Sequence, residues 1–327
     1  MKKFIGIDIG GTKCAATLGE SEAENIKIAA KERFETPVRN PRETIKKLFE
    51  ATDAILKEKN LSAADIAAFG ISCGGPLDSK RGIIQNPPNL PAWDNIKICD
   101  AFSERYGVPC GLQNDANACA LAEWKFGAGR GFDDIAFLTF GTGLGAGLIL
   151  DGRLYCGAND NAGEVGHIRL GKFGPVGYGK RGSFEGFCSG AGIAKIAKDK
   201  VLEQLQMGKH PTLCPDADKL DSLNAKTVAD AADAGDKLAL EIYAESGRML
   251  GFGLSVLIDI LNPQRIIIGG IFTRSRNLLW RHAVEVLERE ALPSALSACE
   301  VVPAELGEFI GDYAALSVAK YESEKTI

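Results

Sequence analysis

The residues best suited to chemistry lie near the start of the chain, in a glycine loop that follows a short apolar run. The loop reads Gly10-Gly11-Thr12-Lys13. Because glycine has no side chain, backbone N–H groups there can approach an anion such as phosphate closely. Thr12 adds a hydroxyl donor and Lys13 a cation, while Asp8 precedes the loop, where a carboxylate can hold Mg²⁺ through water. The pattern predicts a phosphate-binding hairpin.

A second loop of this kind, Gly141-Thr142-Gly143-Leu144-Gly145, follows the apolar run Ile135–Phe140. The chain contains no Gly-x-x-x-x-Gly-Lys-Ser/Thr string, which excludes a P-loop. A dinucleotide-binding motif would open a helix, whereas this loop leads into the strand-like run Ala146–Leu150 and an Asp-Gly turn. Either loop alone is equally compatible with an ordinary tight turn. Both together, with Asp8 before the first, favour nucleotide binding.

The carboxylate best placed for general-base chemistry is Asp115, in the string Asn114-Asp115-Ala116-Asn117 between a strand and a helix. Asn and Asp are also preferred helix caps, and capping alone is enough to explain this string. In phosphoryl transfer the protein mainly positions groups and neutralises charge, and a carboxylate base fits that task. The two phosphate hairpins elsewhere in the chain therefore favour Asp115 as the base that accepts a proton from an attacking hydroxyl.

Further polar residues stand where a ligand cleft would use them: Asn89, Glu164, His167 and Glu185. Carboxylates and amides that pair with hydroxyls select a polyol, because an analogue that lacks a partner leaves them unpaired. Each residue alone is more often a solvated surface group, and a lone histidine is usually structural.

Apolar periodicity places these residues on alternating strands and helices. Strands are predicted at Phe4–Ile9, Cys14–Leu18, Phe69–Ser72, Ile135–Phe140, Ala146–Leu150, Arg153–Tyr155 and Arg265–Ile268. Helices are predicted behind Asn40-Pro41 and at Ala116–Phe126, Ala191–Leu205, Thr227–Ala234, Leu238–Leu261 and Asn277–Glu290. The strand–glycine loop–strand unit occurs twice, each time followed by further helices and strands. This order predicts two α/β domains with mixed sheets and a ligand cleft between them.

Composition narrows the class of protein further. The net charge of −5 argues against a nucleic-acid binder, whose footprint is a basic patch. The N-terminal apolar run breaks at Gly10, unlike a signal peptide, and the run near Leu254–Leu261 is too short to span a bilayer. Nine irregularly spaced cysteines without a Cys-x-x-Cys pair indicate reduced thiols. We therefore expect a cytoplasmic protein without a membrane partner.

These strings together resemble the ROK family of sugar kinases and sugar-responsive repressors. The resemblance rests, in order, on Asp8–Lys13, Gly74-Gly75-Pro76-Leu77-Asp78, Asn114–Asn117, Gly141–Gly145 and Gly163-Glu164-Val165-Gly166-His167. It implies a two-domain actin/hexokinase-like (ribonuclease H-like, duplicated) α/β fold. Residues 1–115 would form the N-terminal domain, residues 116–311 the C-terminal domain, and a last helix at 312–321 would pack back on the first.

The resemblance also implies a role for each site residue, with Asp115 as the catalytic base. The ATP cleft would be lined by Asp8, Gly10, Gly11, Thr12, Lys13, Gly141, Thr142, Gly143, Gly269 and Gly270. The sugar would be held by Gly75, Asn89, Asn114, Asp115, Glu164, His167 and Glu185. ATP and Mg²⁺ would phosphorylate a free hexose, with glucose first and N-acetylmannosamine, N-acetylglucosamine or fructose as alternatives. Dimers are common in the family, so a homodimer is expected.

One departure from the family pattern concerns a structural zinc site. The family carries three cysteines after the histidine of Gly163–His167, whereas this chain has Val176, Tyr178 and Ser183 at those positions. Without thiolates a tetrahedral zinc is not expected. We hypothesise that hydrogen bonding and packing, with Tyr178 as a candidate, position His167 instead.

A sugar-sensing repressor or a binding protein without catalysis is the competing hypothesis. Repressors of the family carry a helix-turn-helix ahead of the first hairpin, and here that hairpin begins at Phe4, which leaves no room for one. The presence of Asp115 and of both phosphate loops favours the kinase. An actin-like or acetate-kinase-like relative would lack the Gly163–His167 string.

Overall fold

The computed structural model of the protein describes residues 1–22 and 25–325, and the elements below are those of this part of the chain. The strands are β1 (Lys2–Ile9), β2 (Lys13–Glu22), β3 (Asn25–Glu35), β4 (Ile66–Cys73), β5 (Leu77–Asp78), β6 (Ile83–Ile84), β7 (Ile96–Lys97), β8 (Cys110–Asn114), β9 (Ile135–Phe140), β10 (Leu144–Leu150), β11 (Arg153–Tyr155), β12 (Val176–Gly177), β13 (Lys180–Arg181), β14 (Arg265–Ile268) and β15 (Glu300–Pro303). The helices are α1 (Pro41–Glu58), α2 (Ile98–Tyr106), α3 (Asp115–Phe126), α4 (Phe184–Phe187), α5 (Gly190–Gln206), α6 (Ala225–Asp233), α7 (Lys237–Leu261), α8 (Ile271–Glu290), α9 (Pro293–Ala298) and α10 (Ile310–Lys325).

Two five-stranded mixed sheets organise these elements. The first has the order β3-β2-β1-β4-β8, with β1–β2–β3 antiparallel and β4 and β8 parallel to β1. The second has the order β11-β10-β9-β14-β15, with β14 parallel to both β9 and β15. The parallel strands are connected through helices, as crossover connections require. The α/β class with mixed sheets expected from the sequence is therefore confirmed.

The chain divides into two compact units, whose bounds differ from the domain ranges expected from the sequence. One unit comprises residues 1–133, 147–162 and 305–327, and the other residues 134–146 and 163–304. We call them the first and second units. Helix α3 and the last helix both belong to the first unit.

Helix α10 packs against the first sheet along a row of glycines. Gly6, Gly70 and Gly111 are neighbours on β1, β4 and β8. A β-carbon at Gly70 would lie 2.1 Å from the backbone nitrogen of Ala319, and one at Gly6 would lie 2.7 Å from that of Leu316. Side chains in this row would exclude the helix, so glycine permits backbone-to-sheet contact here.

The chain leading into α10 is held by a buried carboxylate, that of Glu123 on α3. Its side chain is fully buried and accepts hydrogen bonds from the backbone N–H groups of Ala128, Glu305 and Leu306 at 2.8, 3.2 and 3.0 Å. Backbone donors satisfy the charge that burial would otherwise make costly. This contact fixes the start of the final segment of the first unit.

Most predicted elements are confirmed with shifts of a few residues at their ends. Asn40 caps α1 as expected, since its side chain accepts from the N–H of Glu43. The helix expected at Asn277 was placed too late: α8 begins at Ile271, directly after Gly270 in a left-handed conformation. The polar residues of its first turns and the non-helical Ser275 hide the apolar period there. The small sheet β5-β6-β7, α2, β3 and β15 were not predicted.

Candidate functional site

The first glycine loop is a β1–β2 hairpin braced by a residue of the segment after β3. Gly10 N–H donates to the Lys13 carbonyl at 3.1 Å, which closes the turn. The Thr36 hydroxyl donates to the Gly10 carbonyl at 2.7 Å, and Thr36 N–H donates to the Thr12 carbonyl at 3.0 Å. Thr36 therefore fixes the backbone of the loop, a role that no local pattern in the sequence signals. Thr12 and Lys13 are exposed, so their side chains remain available to a ligand.

Asp8 lies on β1 beside a recess of ≈ 660 Å³ within the first unit. The recess is also lined by Lys13, Arg33 and the ion pair of Lys31 with Asp312 at the start of α10. Burial raises the pKa of Asp8 to about 6; the Asp312 and Asp115 carboxylates add to the effect, while Lys31 and Arg33 oppose it. A carboxylate among like charges favours a bound cation, because the cation relieves their repulsion.

Asp115 is the first residue of α3, at the end of β8. Its side chain is exposed, and one carboxylate oxygen accepts from the N–H of Ala116 at 2.8 Å. The protein around it nevertheless raises the pKa by desolvation, and the backbone hydrogen bonds lower it by less. The neighbouring Asn114 is the helix cap, with its side-chain oxygen 2.8 Å from the N–H of Asn117. Capping thus explains Asn114, and Asp115 keeps a carboxylate oxygen open to solvent.

Asn89 lies against both Gly11 and Gly74, although these residues are far apart in sequence. A β-carbon at Gly11 would come within 2.8 Å of the Asn89 carbonyl oxygen, and one at Gly74 within 3.2 Å of the Asn89 side-chain oxygen. The next peptide, Gly75-Pro76, is cis. The structure therefore brings Asn89 and the Gly74–Gly75 turn to the first glycine loop.

The second glycine loop is the β9–β10 hairpin, and two other segments fix its backbone. Gly141 N–H donates to the Gly143 carbonyl at 3.0 Å, and Gly190 at the start of α5 donates to the Gly141 carbonyl at 2.8 Å. Gly270 is so close that a β-carbon there would lie 2.2 Å from the Phe140 carbonyl oxygen. Gly141 and the Gly269-Gly270 pair, all expected to line the ATP cleft, are thus neighbours in the second unit.

The string Gly163–His167 adjoins the same loop. The Gly163 carbonyl accepts from Ala146 N–H at 2.8 Å, and a β-carbon at Gly166 would lie 2.2 Å from the Leu144 carbonyl oxygen. Glu164 and His167 are exposed. Glu185, on α4, accepts a hydrogen bond from Leu144 N–H at 3.0 Å. Glu185 therefore contacts the second loop directly, and the string that carries Glu164 and His167 lies beside it.

Comparison with known proteins identifies the family. The sequence profile described as the ROK family matches residues 4–322. This chain belongs to the ROK family.

Individual ROK relatives include both enzymes and regulators. The chain is 33% identical over 320 residues to a glucokinase of Thermotoga maritima, covering 97% of each protein. It is 29% identical over 303 residues to the DNA-binding transcriptional dual regulator NagC of Escherichia coli, covering 92% of this chain and 71% of the regulator.

A solved ROK structure shows the same architecture. The glucokinase from Streptomyces griseus in complex with glucose and AMPPNP matches with a TM-score of 0.74 at 30% identity, covering 98% of this chain and 99% of that protein. The actin/hexokinase-like fold expected from the sequence is thereby confirmed.

The segment that carries zinc-binding cysteines in the ROK pattern is here a small β-hairpin, β12–β13. Its two turn residues, Tyr178 and Gly179, both have positive φ, as a two-residue type I′ turn requires. The Tyr178 ring packs edge-on against His167 with centroids 5.6 Å apart, and Lys180 Nζ donates to the His167 carbonyl at 2.5 Å. Ser183 caps α4 by accepting from Gly186 N–H. Val176 offers no side-chain donor, so this set does not fit a tetrahedral zinc.

Two features are absent from the part of the chain that the structure describes. No group of three or more His, Cys, Asp or Glu side chains has the arrangement of a metal centre there. In the same residues, no helix has the length and apolar character needed to cross a bilayer. All nine cysteines fall within the described residues and are free.

Proposed function

We propose that the protein phosphorylates a free hexose with Mg·ATP, and that glucose is the first candidate. The observation that carries the proposal is Asp115: an accessible carboxylate with a raised pKa at the start of α3, in a chain 30% identical to a glucokinase solved with glucose and AMPPNP. N-acetylmannosamine, N-acetylglucosamine and fructose are the alternative substrates.

Asp115 acts as the general base. Its ionised carboxylate accepts the proton of the attacking sugar hydroxyl as that oxygen bonds to the γ-phosphorus, and the bond to the β–γ bridging oxygen breaks to release ADP. Desolvation raises the pKa of Asp115, which makes its carboxylate a stronger base than an exposed aspartate. The accepted proton returns to solvent after the phosphorylated sugar leaves.

Residues of the glycine loops hold the nucleotide. Backbone N–H groups at Gly11 and Gly143, with the Thr12 and Thr142 hydroxyls and the Lys13 ammonium, bind phosphate oxygens. Gly10 shapes the first loop, since its own N–H donates to the Lys13 carbonyl, and Gly269-Gly270 lines the nucleotide site. The carboxylate of Asp8 fits a hydrated Mg²⁺, since its acidic neighbours Asp312 and Asp115 favour a cation. When bound, Mg²⁺ neutralises charge that develops on the phosphates.

The sugar is held by hydroxyl-binding side chains. We assign this role to Asn89, Glu164, His167 and Glu185, with the free amide of Asn114 and the backbone of Gly75. Asn89 lies against the first glycine loop in the first unit, and Glu185 lies against the second glycine loop in the second unit.

The decisive experiment is an assay of purified protein with Mg·ATP and a panel of free hexoses and N-acetylhexosamines, with ADP release as the readout. We expect one preferred sugar. Asp115→Asn should reduce turnover by roughly 10²–10⁴-fold while sugar binding, measured by calorimetry, persists. Glu50→Gln, an exposed change on α1, is the matched control and should retain full turnover. Equal turnover by Asp115→Asn and the wild type would remove Asp115 from the base role.

A sugar-sensing regulator is the second candidate, favoured by the 29% identity to NagC. It predicts sugar binding without turnover on any sugar of the panel. A homodimer and a cytoplasmic location remain predictions, and sedimentation velocity tests the first of them.

A further inference from the structure

The carboxylate of Glu185, which is half-buried, contacts the second glycine loop through one of its oxygens. Oε2 accepts from the backbone N–H of Leu144 at 3.0 Å, in the middle of the second glycine loop. A β-carbon at the adjacent Gly143 would come within 2.7 Å of this same oxygen. The glycine at 143 therefore permits the carboxylate to reach the loop backbone. A carboxylate has about four acceptor sites, so this one bond leaves Oε1 available.

The backbone around Glu185 holds the side chain in this position. Helix α4 is capped by Ser183 and joined to the Gly163–His167 string by the bond from Phe184 N–H to the Ile168 carbonyl at 2.8 Å. Gly192 on α5 is packed against the carbonyl of Glu185, since a β-carbon there would lie 2.9 Å from that oxygen. The second glycine loop, the Gly163–His167 string and the starts of α4 and α5 are thus in contact with one another. Among these segments, Glu185 is the residue whose side chain bonds to the loop.

We infer that Glu185 is a positioning residue for the nucleotide loop as well as a sugar contact, and that it couples the two binding events. One oxygen holds the Gly141–Gly145 loop in its phosphate-binding shape, and the other accepts from a sugar hydroxyl. The coupling rests on the proposed function, whereas the loop contact does not.

Coupling arises because the sugar and the loop constrain the same carboxylate. A bound sugar fixes the carboxylate, and a fixed carboxylate keeps the Leu144 N–H and its neighbours oriented before the nucleotide arrives. The ordering cost of the loop is then lower for the second ligand, which appears as positive coupling between the sites. A kinase gains from this arrangement because ATP binds well only when an acceptor is present.

Four variants separate the roles, of which Glu185→Ala removes the carboxylate altogether. Glu185→Gln retains an amide oxygen for Leu144 N–H but removes the charge. Glu185→Asp retains the charge but is one methylene too short to reach. Glu164→Gln is the matched control, since it alters an exposed sugar residue of the neighbouring string and leaves Oε2 of Glu185 in place.

The first measurement is hydrogen exchange of the ligand-free protein, followed in peptides that cover residues 141–146. Loss of the acceptor should speed exchange of the Leu144 amide by roughly tenfold in Glu185→Asp and Glu185→Ala. Glu185→Gln and Glu164→Gln should keep wild-type protection. Wild-type protection in Glu185→Ala would overturn the loop contact.

The second measurement is calorimetric binding of AMPPNP with and without saturating glucose. The wild type should bind AMPPNP more tightly with glucose present, by roughly fivefold or more. Glu185→Asp should bind it about tenfold more weakly without sugar and show no gain on sugar addition. Glu164→Gln should weaken only the binding of the sugar. If Glu185→Asp kept both the AMPPNP affinity and the coupling of the wild type, the inference would be overturned. If the wild type bound no AMPPNP, the proposed function and the coupling would be overturned together. The exchange data would then test the loop contact by itself.

Discussion

At the scale of single residues, the first unit contains a carboxylate, that of Asp8, whose ionised form does not stabilise the fold. Asp8 lies half-buried beside Asp312 and within the field of Asp115, and its pKa is raised to about 6. A raised carboxylate pKa means that the ionised form costs free energy in the folded state. Such a cost is expected at a site built to receive a cation and is otherwise unnecessary.

Replacing Asp8 should therefore stabilise the fold. Well below pH 3.8, the ordinary pKa of an aspartate, Asp8 is protonated in both folded and unfolded states, whereas above its folded pKa of about 6 the ionised carboxylate destabilises the native state. We expect Asp8→Asn to raise the free energy of unfolding by about 2 kcal/mol at pH 8 and by only about 0.5 kcal/mol at pH 4. Urea unfolding at the two pH values measures this difference.

The turnover of Asp8→Asn tests the proposed role of this residue in Mg²⁺ binding. The same variant should lose Mg²⁺-dependent turnover, because stability and function are in conflict at this residue. Glu50→Gln, exposed on α1, should change neither quantity. A variant destabilised equally at both pH values would show that Asp8 is a structural residue.

At the scale of elements, periodicity and turn chemistry predicted most of the fold. The strands β1, β9 and β14 and the caps of α1 and α3 are local features, and their sequence signals were sufficient. Strand β3 lies at the edge of its sheet, and it was missed because the charged run Lys31–Arg33 breaks its apolar alternation. The two glycine loops are hairpins as predicted, but the contacts of Thr36 and the contact between Glu185 and Leu144 depend on long-range packing that no spacing reveals.

The β12–β13 hairpin is the element that most distinguishes this chain from the zinc-binding ROK pattern. Tyr178 has φ of 41° and a ring that is 73% exposed, so neither its backbone nor its burial explains a tyrosine here. Its edge-on contact with His167 does. Such aromatic pairs are worth about 0.5–1.5 kcal/mol, enough to bias the orientation of an exposed imidazole.

Tyr178→Asn separates the turn from the ring contact. Asn before Gly is the preferred type I′ pair, so the hairpin should be retained or stabilised while the support of His167 is lost. We expect the KM for sugar to rise by roughly 2–10-fold with little change in the KM for ATP. In a double-mutant cycle with His167→Ala the two effects should be non-additive. Phe173→Asn, which removes another exposed aromatic, is the control, and an equal effect there would contradict a specific contact with His167.

At the scale of the whole molecule, the chain completes its first unit only with its final helix. Helix α10 lies on β1 and β4 along the glycine row. The segment that precedes it, Glu305–Leu306, is held by hydrogen bonds to Glu123. The same helix carries Asp312 to the recess beside Asp8. Helix α10 therefore completes both the core of this unit and the electrostatic surroundings of Asp8.

Alanine substitutions along the glycine row should destabilise the protein in a fixed order. The expected order is Gly70→Ala, then Gly6→Ala, then Gly111→Ala, because their β-carbons would meet the Ala319 nitrogen at 2.1 Å, the Leu316 nitrogen at 2.7 Å and the movable Glu322 carboxylate at 2.9 Å. Thermal unfolding should show a loss of roughly 3 kcal/mol or more for the first and less than about 1 kcal/mol for the last. Gly311→Ala on α10 has open space around its β-carbon and should be neutral or slightly stabilising. If Gly111→Ala proved as harmful as Gly70→Ala, close contact between the α10 backbone and the sheet would not be what holds this helix.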